Sequence, residues 1–494
     1  MSSEFCLSNR AFSFTSLSFL LLLSGNGVGN TPAQRGSRPN IIFIMADDHG
    51  LQAISSYGSK LINTPGIDRL AKEGVRFVNC FNINSLCAPS RAALITGKYN
   101  FQNRVLRIGD RLDEKQETFP MMLQRSGYQT ALIGKWHLES EPQGFDYYKV
   151  LPGQGKYFDS PIKEKGEPWI SGNTGGKIEK GFITDVITDK SIEWLKKTDP
   201  QKPFFLMVHH KAPHTPHQYP QKYDGLYADK DLPLPSTFGD TYQGKNEQLS
   251  TGNAGFSRLD HIYPDHFTEK VPPSMTQDQY KYWAYQTFFK GYLRLVASLD
   301  DNIVRLLDFL DQSGLAKNTI VVYTSDNGFF IGEHGLFNKM WMYEESMRLP
   351  LIVRYPGHIK AGTVNTDMIS ILDFAPTFVD YANYRIHPEL QGLSIKSLLE
   401  GKTPNKWREE IYYHYYDQYE VPEQVGIRTK DFKLIRFLSG HDSSFEELYD
   451  LKTDPGETKN LFLNQDYLHV RKKLEKELKN LKAKYESINP ANKK

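Results

Sequence analysis

The chain has 494 residues, of which 39% are hydrophobic and 24% are charged, and its formal net charge is +2. This length exceeds what one compact two-layer domain holds, and it suits a large α/β domain with a smaller companion. The balanced charge lacks the basic block that is typical of nucleic-acid-binding proteins, so we expect no nucleic-acid partner.

The first thirty residues have the pattern of a signal peptide. Residues 11–23 carry no charge, Arg10 precedes them, and small residues as far as Gly29 follow them. This apolar run is too short to cross a bilayer, and no other segment is long and apolar enough to do so. We therefore expect residues 1–30 to be removed on export and the mature protein to be periplasmic or secreted, without a membrane span. A buried N-terminal helix is the alternative.

Short apolar runs alternate with helical patterns along most of the chain. Such runs are typical of strands buried on both faces of a parallel sheet, and they lie at residues 40–45, 130–134, 204–208, 319–324 and 351–353. Between them, the apolar spacing predicts a short helix over residues 64–74 and a longer one over residues 292–310. This alternation predicts an α/β fold with a mixed, mostly parallel sheet flanked by helices.

Two stretches rich in Gly, Lys and Pro, residues 149–181 and 219–273, are predicted to be long loops that shape a cleft over the sheet edge. After about Pro404 the pattern changes to short strands and one charged helix, which we predict at residues 411–416, 425–429, 432–437, 447–449 and 467–487. We therefore divide the mature chain into a large domain, residues 36–403, and a small C-terminal α+β subdomain, residues 404–494. The aromatic run Tyr412–Tyr416 could reach the cleft, but alternating buried rings are the favoured interpretation.

Pairs of polar residues follow two of the predicted strands. Asp47 and Asp48 follow the strand at residues 40–45, and Asp326 and Asn327 follow the strand at residues 319–324. Adjacent carboxylates repel each other unless a cation neutralises them, although helix capping explains one such pair equally well. Ligands bind at the carboxyl ends of strands in open α/β sheets. Four oxygen ligands there suit Ca²⁺ or Mg²⁺ better than zinc.

The segment Cys87-Ala88-Pro89-Ser90-Arg91 resembles the signature of type I sulfatases, in which the cysteine is oxidised to formylglycine. With the two polar pairs, it makes nearly the whole mature chain resemble bacterial sulfatases that act on polysaccharides and other glycans. The resemblance implies an alkaline-phosphatase-like fold and a maturation enzyme that converts Cys87. It also implies a Ca²⁺ site formed by the oxygen of converted Cys87 and by Asp47, Asp48, Asp326 and Asn327.

This interpretation also predicts the state of the other two cysteines. Cys6 would leave with the signal peptide, and Cys80 could otherwise pair with Cys87 across a short loop. If Cys87 is converted, Cys80 has no partner, and the mature protein contains no disulfide.

The resemblance also implies roles for further side chains. Arg91 would hold the formylglycine hydroxyl, and Lys135 and Lys339 would bind the oxygens of the sulfate group. His137, in the segment Gly-Lys-Trp-His, would take the proton of the second formylglycine hydroxyl. His214, in the segment Pro-His-Thr-Pro, would be the general acid that protonates the leaving alcohol.

Other histidines allow different interpretations. His209 and His210 precede His214, and these three imidazoles could form a zinc site, although no carboxylate or thiolate lies beside them in the sequence. His217 and His334 could line the cleft, and a purely structural loop histidine is the alternative for His334.

The sequence therefore predicts an enzyme that hydrolyses sulfate esters of a sulfated oligosaccharide or polysaccharide. Candidate substrates are algal polysaccharides such as ulvan or carrageenan, and glycans that contain N-acetylglucosamine 6-sulfate. Two alternatives remain. One is a phosphoester or phosphonate hydrolase on the same fold, because phosphate is also a tetrahedral anion. The other is a glycan-binding protein without activity, if Cys87 stays unmodified.

Overall fold

The structure of the protein is a computed structural model that describes residues 38–251, 255, 259, 274–440 and 444–487. The predicted signal peptide lies outside the described residues and stays a prediction. The described strands, in chain order, are β1 (Asn40–Asp47), β2 (Val75–Phe81), β3 (Gln129–Lys135), β4 (Tyr147–Leu151), β5 (Pro161–Glu164), β6 (Lys177–Ile178), β7 (Phe204–Pro213), β8 (Thr319–Ser325), β9 (Phe330–Ile331), β10 (Phe337–Asn338), β11 (Arg348–Arg354), β12 (Thr363–Asn365), β13 (Ile369–Ser370), β14 (Glu410–Tyr415), β15 (Gln424–Thr429), β16 (Phe432–Phe437) and β17 (Glu446–Asp450).

The α-helices cover the faces of the sheet and complete the C-terminal part. Those described are α1 (Pro65–Glu73), α2 (Cys87–Thr96), α3 (Asn100–Asn103), α4 (Phe119–Arg125), α5 (Ile183–Leu195), α6 (Gln248–Thr251), α7 (Gln277–Gln312), α8 (Glu344–Met347), α9 (Phe374–Tyr381), α10 (Lys396–Leu399) and α11 (Leu468–Glu486). None of the helices in the described ranges is long and apolar enough to cross a membrane.

A mixed sheet forms the centre of the molecule, with the strand order β12-β2-β11-β8-β1-β7-β3-β4-β5-β6 and β13 beside β2. The central strands β8, β1, β7, β3 and β4 run parallel, whereas β11 is antiparallel to both β8 and β2. The prediction of a mixed, mostly parallel sheet is therefore confirmed. All five predicted strands of this sheet are present.

The sequence patterns missed six strands of this sheet, which are β2, β4, β5, β6, β12 and β13. The prediction of a loop over residues 149–181 was wrong at three places, because β4 pairs with β3, β5 pairs with β4 and β6 pairs with β5, which extends the sheet. The run Tyr147–Leu151 is short and interrupted by a lysine, so it lacks the continuous apolar stretch of the other strands. The strand β2 lies towards one edge of the sheet and mixes buried with partly exposed residues. It therefore also lacks a continuous apolar run in the sequence.

Successive side chains of β1 point to opposite faces of the sheet, and helices bury both faces. Ile42 and Ile44 belong to the same core cluster as Leu299 and Leu306 of α7. On the other face, Phe43 packs edge-on against Phe374 and Phe378. The helix α7 begins at Gln277, earlier than predicted, and a capping box between Thr276 and Gln279 satisfies its first amide groups.

The C-terminal part contains the antiparallel sheet β14-β15-β16-β17 and the helix α11, so the predicted subdomain architecture is present. Its boundary at residues 403/404 stays a prediction. Tyr412, Tyr413 and Tyr415 are all buried, as the favoured interpretation of the aromatic run expects, but burial does not alternate because both faces of β14 are covered. The Tyr413 hydroxyl donates to the carbonyl oxygen of Met340 at 3.0 Å and accepts from the backbone amide of Ser85 at 3.2 Å.

Buried ion pairs also attach this sheet to the helix α8. Glu344 of α8 contacts Arg428 at 3.0 Å and Lys433 at 3.0 Å, and Lys433 contacts Glu457 at 2.7 Å. All four side chains are buried. Removing one partner of such a buried pair costs about 3–5 kcal/mol, because the remaining charge loses its neutralising neighbour. The C-terminal sheet is therefore a structural support for the segment that follows Lys339.

Candidate active site

The predicted site residues meet at one edge of the main sheet. Asp47 is the last residue of β1, Lys135 is the last residue of β3, and Asp326 directly follows β8. Because β8, β1, β7 and β3 lie in this order and run parallel, their carboxyl ends lie at the same edge. Cys87, the first residue of α2, lies among them, with its Sγ 3.7 Å from Asp47 Oδ1.

The Cys87 side chain is completely buried between charged groups. Lys339 Nζ lies 3.2 Å from Sγ. Burial nevertheless raises the pKa of the Cys87 thiol to about 12, although Lys135 and Lys339 act in the opposite direction. An unmodified Cys87 is therefore protonated at neutral pH, and a protonated thiol is a poor nucleophile. Cys80, the other described cysteine, is also buried and free, so the described residues contain no disulfide.

Arg91 lies one helical turn after Cys87 and bridges two strands. Its Nε donates to Asp326 Oδ2 at 3.0 Å, and its NH1 group donates to the carbonyl oxygen of Lys135 at 2.8 Å. The guanidinium is also 3.7 Å from Asp47 Oδ1. Arg91 thus connects the start of α2 with the ends of β3 and β8, and in the structure it contacts the carboxylates rather than Cys87.

Three carboxylates and three cations form the centre of the site. The ammonium of Lys135 contacts Asp47, and the ammonium of Lys339 contacts Asp48. Burial and then the neighbouring Asp47 raise the pKa of Asp326 to about 7. Burial also raises the pKa of Asp48, which the ammonium of Lys339 only partly offsets. Such crowding of buried carboxylates is the environment that a divalent cation stabilises.

The donor set fits a metal ion with a preference for oxygen. Within the described ranges, one group of metal-ligating side chains lies within 4.8 Å of one another, and it consists of Asp47, Asp48, Cys87 and His214. Asp326 is not part of this group, but its Oδ1 accepts from the backbone amide of Asp48 at 3.1 Å, so a third carboxylate lies beside it. Carboxylate oxygens suit Ca²⁺ or Mg²⁺.

Asn327 is oriented differently from the other predicted ligands. Its side-chain nitrogen donates to Asp48 Oδ1 at 3.3 Å, while its oxygen accepts from the amide of Asn82 at 3.0 Å. The residue is in the predicted place, but in this structure its nitrogen faces the carboxylates.

His214 lies beside the carboxylates, and its orientation is defined by a hydrogen bond. Its Nδ1 is 2.6 Å from the carbonyl oxygen of Thr215, which can only accept, so Nδ1 carries a proton. Its Nε2 lies 3.7 Å from Asp48 Oδ2. His209 bonds instead to the carbonyl oxygen of Lys135 at 3.0 Å. The zinc site of three histidines is therefore not formed among the described residues.

Comparison with known proteins identifies the family. A sulfatase family profile matches residues 39–384, and a profile described as N-sulphoglucosamine sulphohydrolase, C-terminal, matches residues 332–484. The chain belongs to the sulfatase family. It is a sulfuric ester hydrolase, and membership of the family implies a formylglycine and a metal ion.

Individual sulfatases resemble the chain over most of its length. An N-acetylglucosamine-6-O-sulfatase of Bacteroides thetaiotaomicron is 40% identical over 95% of this chain and 91% of its own. An ulvan-active sulfatase of Formosa agariphila is 26% identical over 94% of this chain and 84% of its own. A solved structure in complex with its substrate, D-glucosamine-2-N,6-O-disulfate, has a TM-score of 0.84 and 39% identity, covering 93% of this chain and 100% of the other. These similarities confirm the predicted alkaline-phosphatase-like fold.

The sequence patterns missed Gln154. Its Oε1 accepts from Lys135 Nζ at 2.5 Å, which places its amide group beside one of the two predicted sulfate-binding lysines of this sulfatase. Gly153 and Gly155 flank it with φ angles of 53° and 66°, in the left-handed region that favours glycine. The segment Gly-Gln-Gly after an apolar Val-Leu pair was the available signal, but it lay inside the stretch predicted to be a loop.

The remaining predicted histidines occupy different surroundings. His137, two residues after Lys135, is buried, and its Nδ1 has no hydrogen-bond partner among the described groups. The His217 ring packs edge-on against the Phe288 ring, with the ring centroids 4.5 Å apart. His334 is buried, with Nδ1 2.7 Å from Asp240 Oδ2, as expected for a structural histidine.

Proposed function

We propose that this sulfatase removes the 6-O-sulfate group from N-acetylglucosamine units of sulfated glycans. The observation that carries the proposal is the 40% identity, over 95% of the chain, to an N-acetylglucosamine-6-O-sulfatase. The similar structure in complex with D-glucosamine-2-N,6-O-disulfate supports a glucosamine ring with a 6-O-sulfate group, although that sugar is N-sulfated rather than N-acetylated. The ulvan-active relative is only 26% identical, so ulvan is the weaker candidate.

Each residue at the sheet edge has a separate role in the proposed hydrolysis. If Cys87 is converted, its hydrated aldehyde would supply two hydroxyls, one to attack sulfur and one to expel sulfate and restore the aldehyde. A Ca²⁺ held by the neighbouring carboxylates would supply Lewis-acid chemistry, which increases the acidity of a bound hydroxyl. Lys135 and Lys339 hold the sulfate oxygens and stabilise their charge. Arg91 orients the converted side chain, and His137 takes the proton of the second hydroxyl. Because Nδ1 keeps the proton that it donates to Thr215, His214 acts from its doubly protonated form: Nε2 gives its proton to the leaving sugar oxygen, and the ring returns to the neutral form protonated at Nδ1.

Metal removal is expected to abolish activity. We propose Ca²⁺, held by oxygens of Asp47, Asp48, Asp326 and converted Cys87, with Asn327 as a further ligand after its side-chain amide turns to present its oxygen. Exhaustive chelation should lower kcat/KM at least about 100-fold, equivalent to about 3 kcal/mol of transition-state stabilisation. Ca²⁺ should restore activity and Zn²⁺ should not. Full activity in protein shown by elemental analysis to be metal-free would contradict the assignment.

Conversion of Cys87 and export are parts of the same proposal. A formylglycine-generating maturation enzyme is the partner that the modification requires. The apolar segment at residues 11–23 supports export to the periplasm or the medium.

A panel of sulfated sugars tests the substrate. The converted enzyme should release sulfate from N-acetylglucosamine 6-sulfate at least about tenfold faster, as kcat/KM, than from the 3-sulfate isomer or from ulvan and carrageenan oligosaccharides. It should also cleave an aryl sulfate in preference to the corresponding aryl phosphate. Preference for an algal oligosaccharide would replace the proposed sugar, and preference for the phosphate would favour the phosphoester alternative.

A further inference from the structure

A buried tyrosine lies behind the turn that carries His214. The Tyr157 side chain is fully buried, and its hydroxyl donates to the carbonyl oxygen of His214 at 2.5 Å. The same hydroxyl lies 3.3 Å from the carbonyl oxygen of Lys211, which also accepts from the backbone amide of His214 at 3.0 Å. One phenol group thus contacts both ends of the turn formed by residues 211–214.

The imidazole of His214 is held from the other side as well. The carbonyl oxygen of Thr215 accepts from His214 Nδ1 at 2.6 Å and from Lys211 Nζ at 3.2 Å. The Lys211 ammonium also lies 5.0 Å from the centre of the Tyr157 ring, within the range of a cation–π contact. These contacts leave Nε2 as the nitrogen that faces the carboxylates, 3.7 Å from Asp48 Oδ2, in the group that also contains Cys87.

Tyr157 is itself rigidly placed. Its ring stacks on Phe182 with the centroids 5.9 Å apart, and its carbonyl oxygen accepts from the amide of Ile183 at 2.7 Å. It lies three residues after Gln154, which contacts Lys135. The short segment from Gln154 to Tyr157 therefore touches both a predicted sulfate-binding lysine and the turn of the predicted general acid.

We propose that Tyr157 is a positioning residue for proton transfer: its hydroxyl fixes the turn of residues 211–214 so that His214 Nε2 reaches the leaving oxygen of the sulfate ester. The inference rests on the proposed function, in which His214 is the general acid. A sugar alkoxide is strongly basic and must be protonated as the S–O bond breaks, whereas an aryl oxide with electron-withdrawing groups leaves without that help. Loss of positioning therefore affects sugar sulfates selectively.

The test compares two leaving groups in fully converted enzyme. Tyr157→Phe should lower kcat/KM for N-acetylglucosamine 6-sulfate about 10- to 100-fold and leave kcat/KM for 4-nitrophenyl sulfate within about threefold. The matched control is Tyr128→Phe, which removes a buried hydroxyl that donates to the carbonyl oxygen of Pro39 at 2.8 Å. It should change neither value by more than about twofold. Thermal unfolding of both variants reports whether the fold is retained.

The outcomes separate the positioning role from the proposed function. An equal loss on both substrates, or no loss on the sugar sulfate, would overturn the positioning role. If Tyr157→Phe does not fold, Lys211→Met removes the other contact with the Thr215 carbonyl, and the same selectivity is expected of it. His214→Ala should show the same selectivity more strongly. Wild-type enzyme without activity on either sulfate would instead contradict the proposed function itself.

Discussion

Replacing Cys87 with alanine should lower kcat/KM for sulfate-ester hydrolysis by at least about 10⁴-fold, as expected when a covalent nucleophile is removed. The variant has no side chain that the maturation enzyme could oxidise to an aldehyde. The fold should be retained, because alanine fits the buried start of α2 and removes only a small sulfur atom, at a cost of about 1 kcal/mol. Sulfate release and thermal unfolding, measured on the same preparation, check both expectations.

The chain offers a matched control for this substitution. Cys80 is the other described cysteine, and it is also buried and without a disulfide, but it lies in β2 away from the catalytic cluster. Cys80→Ala should lose a similar amount of stability and keep its activity within about twofold. An active Cys87→Ala enzyme would show that catalysis does not depend on the converted side chain.

The second large effect is expected for Lys339→Met. The Lys339 ammonium is buried beside Cys87 Sγ and Asp48, where it can neutralise charge on the transferred sulfate group. Removing one such preorganised donor costs about 10²- to 10³-fold in rate. We expect a loss of about 10³-fold in kcat/KM for both sugar and aryl sulfates, because both transfer the same sulfate group.

A second buried lysine separates catalytic loss from loss of stability. Lys433 is buried in ion pairs with Glu344 and Glu457, in the C-terminal sheet. Lys433→Met should lower the free energy of unfolding by about 3–5 kcal/mol, yet retain activity at temperatures where it is folded. Lys339→Met in the metal-loaded enzyme should instead lose activity and keep most of its free energy of unfolding. A Lys339→Met enzyme that keeps its activity would exclude Lys339 from the sulfate site.

The sequence was sufficient to predict that several of the proposed site residues lie close together, because they stand at strand ends. Asp47, Lys135 and Asp326 each end or follow a continuous apolar run, and parallel strands bring such ends to one edge. Cys87 was found from its own local motif. Its position at the start of α2 also placed Arg91 one turn further along the same helix.

The contacts that hold these residues in place could not be predicted from the sequence. Gln154 lies 19 residues after its partner Lys135, and Tyr157 lies 57 residues before its partner His214. Periodicity does not encode which loop lies beside which strand end, so such contacts depend on strand order. The Tyr413 hydroxyl, whose partner Ser85 is 328 residues away, is a more extreme case.

The most direct test of the account is the mass of the peptide that contains Cys87, measured in protein produced with a formylglycine-generating enzyme. We expect Cys87 to be present as the aldehyde, and the specific activity on N-acetylglucosamine 6-sulfate to rise in proportion to the converted fraction. A preparation with full sulfatase activity and an intact Cys87 thiol would contradict it.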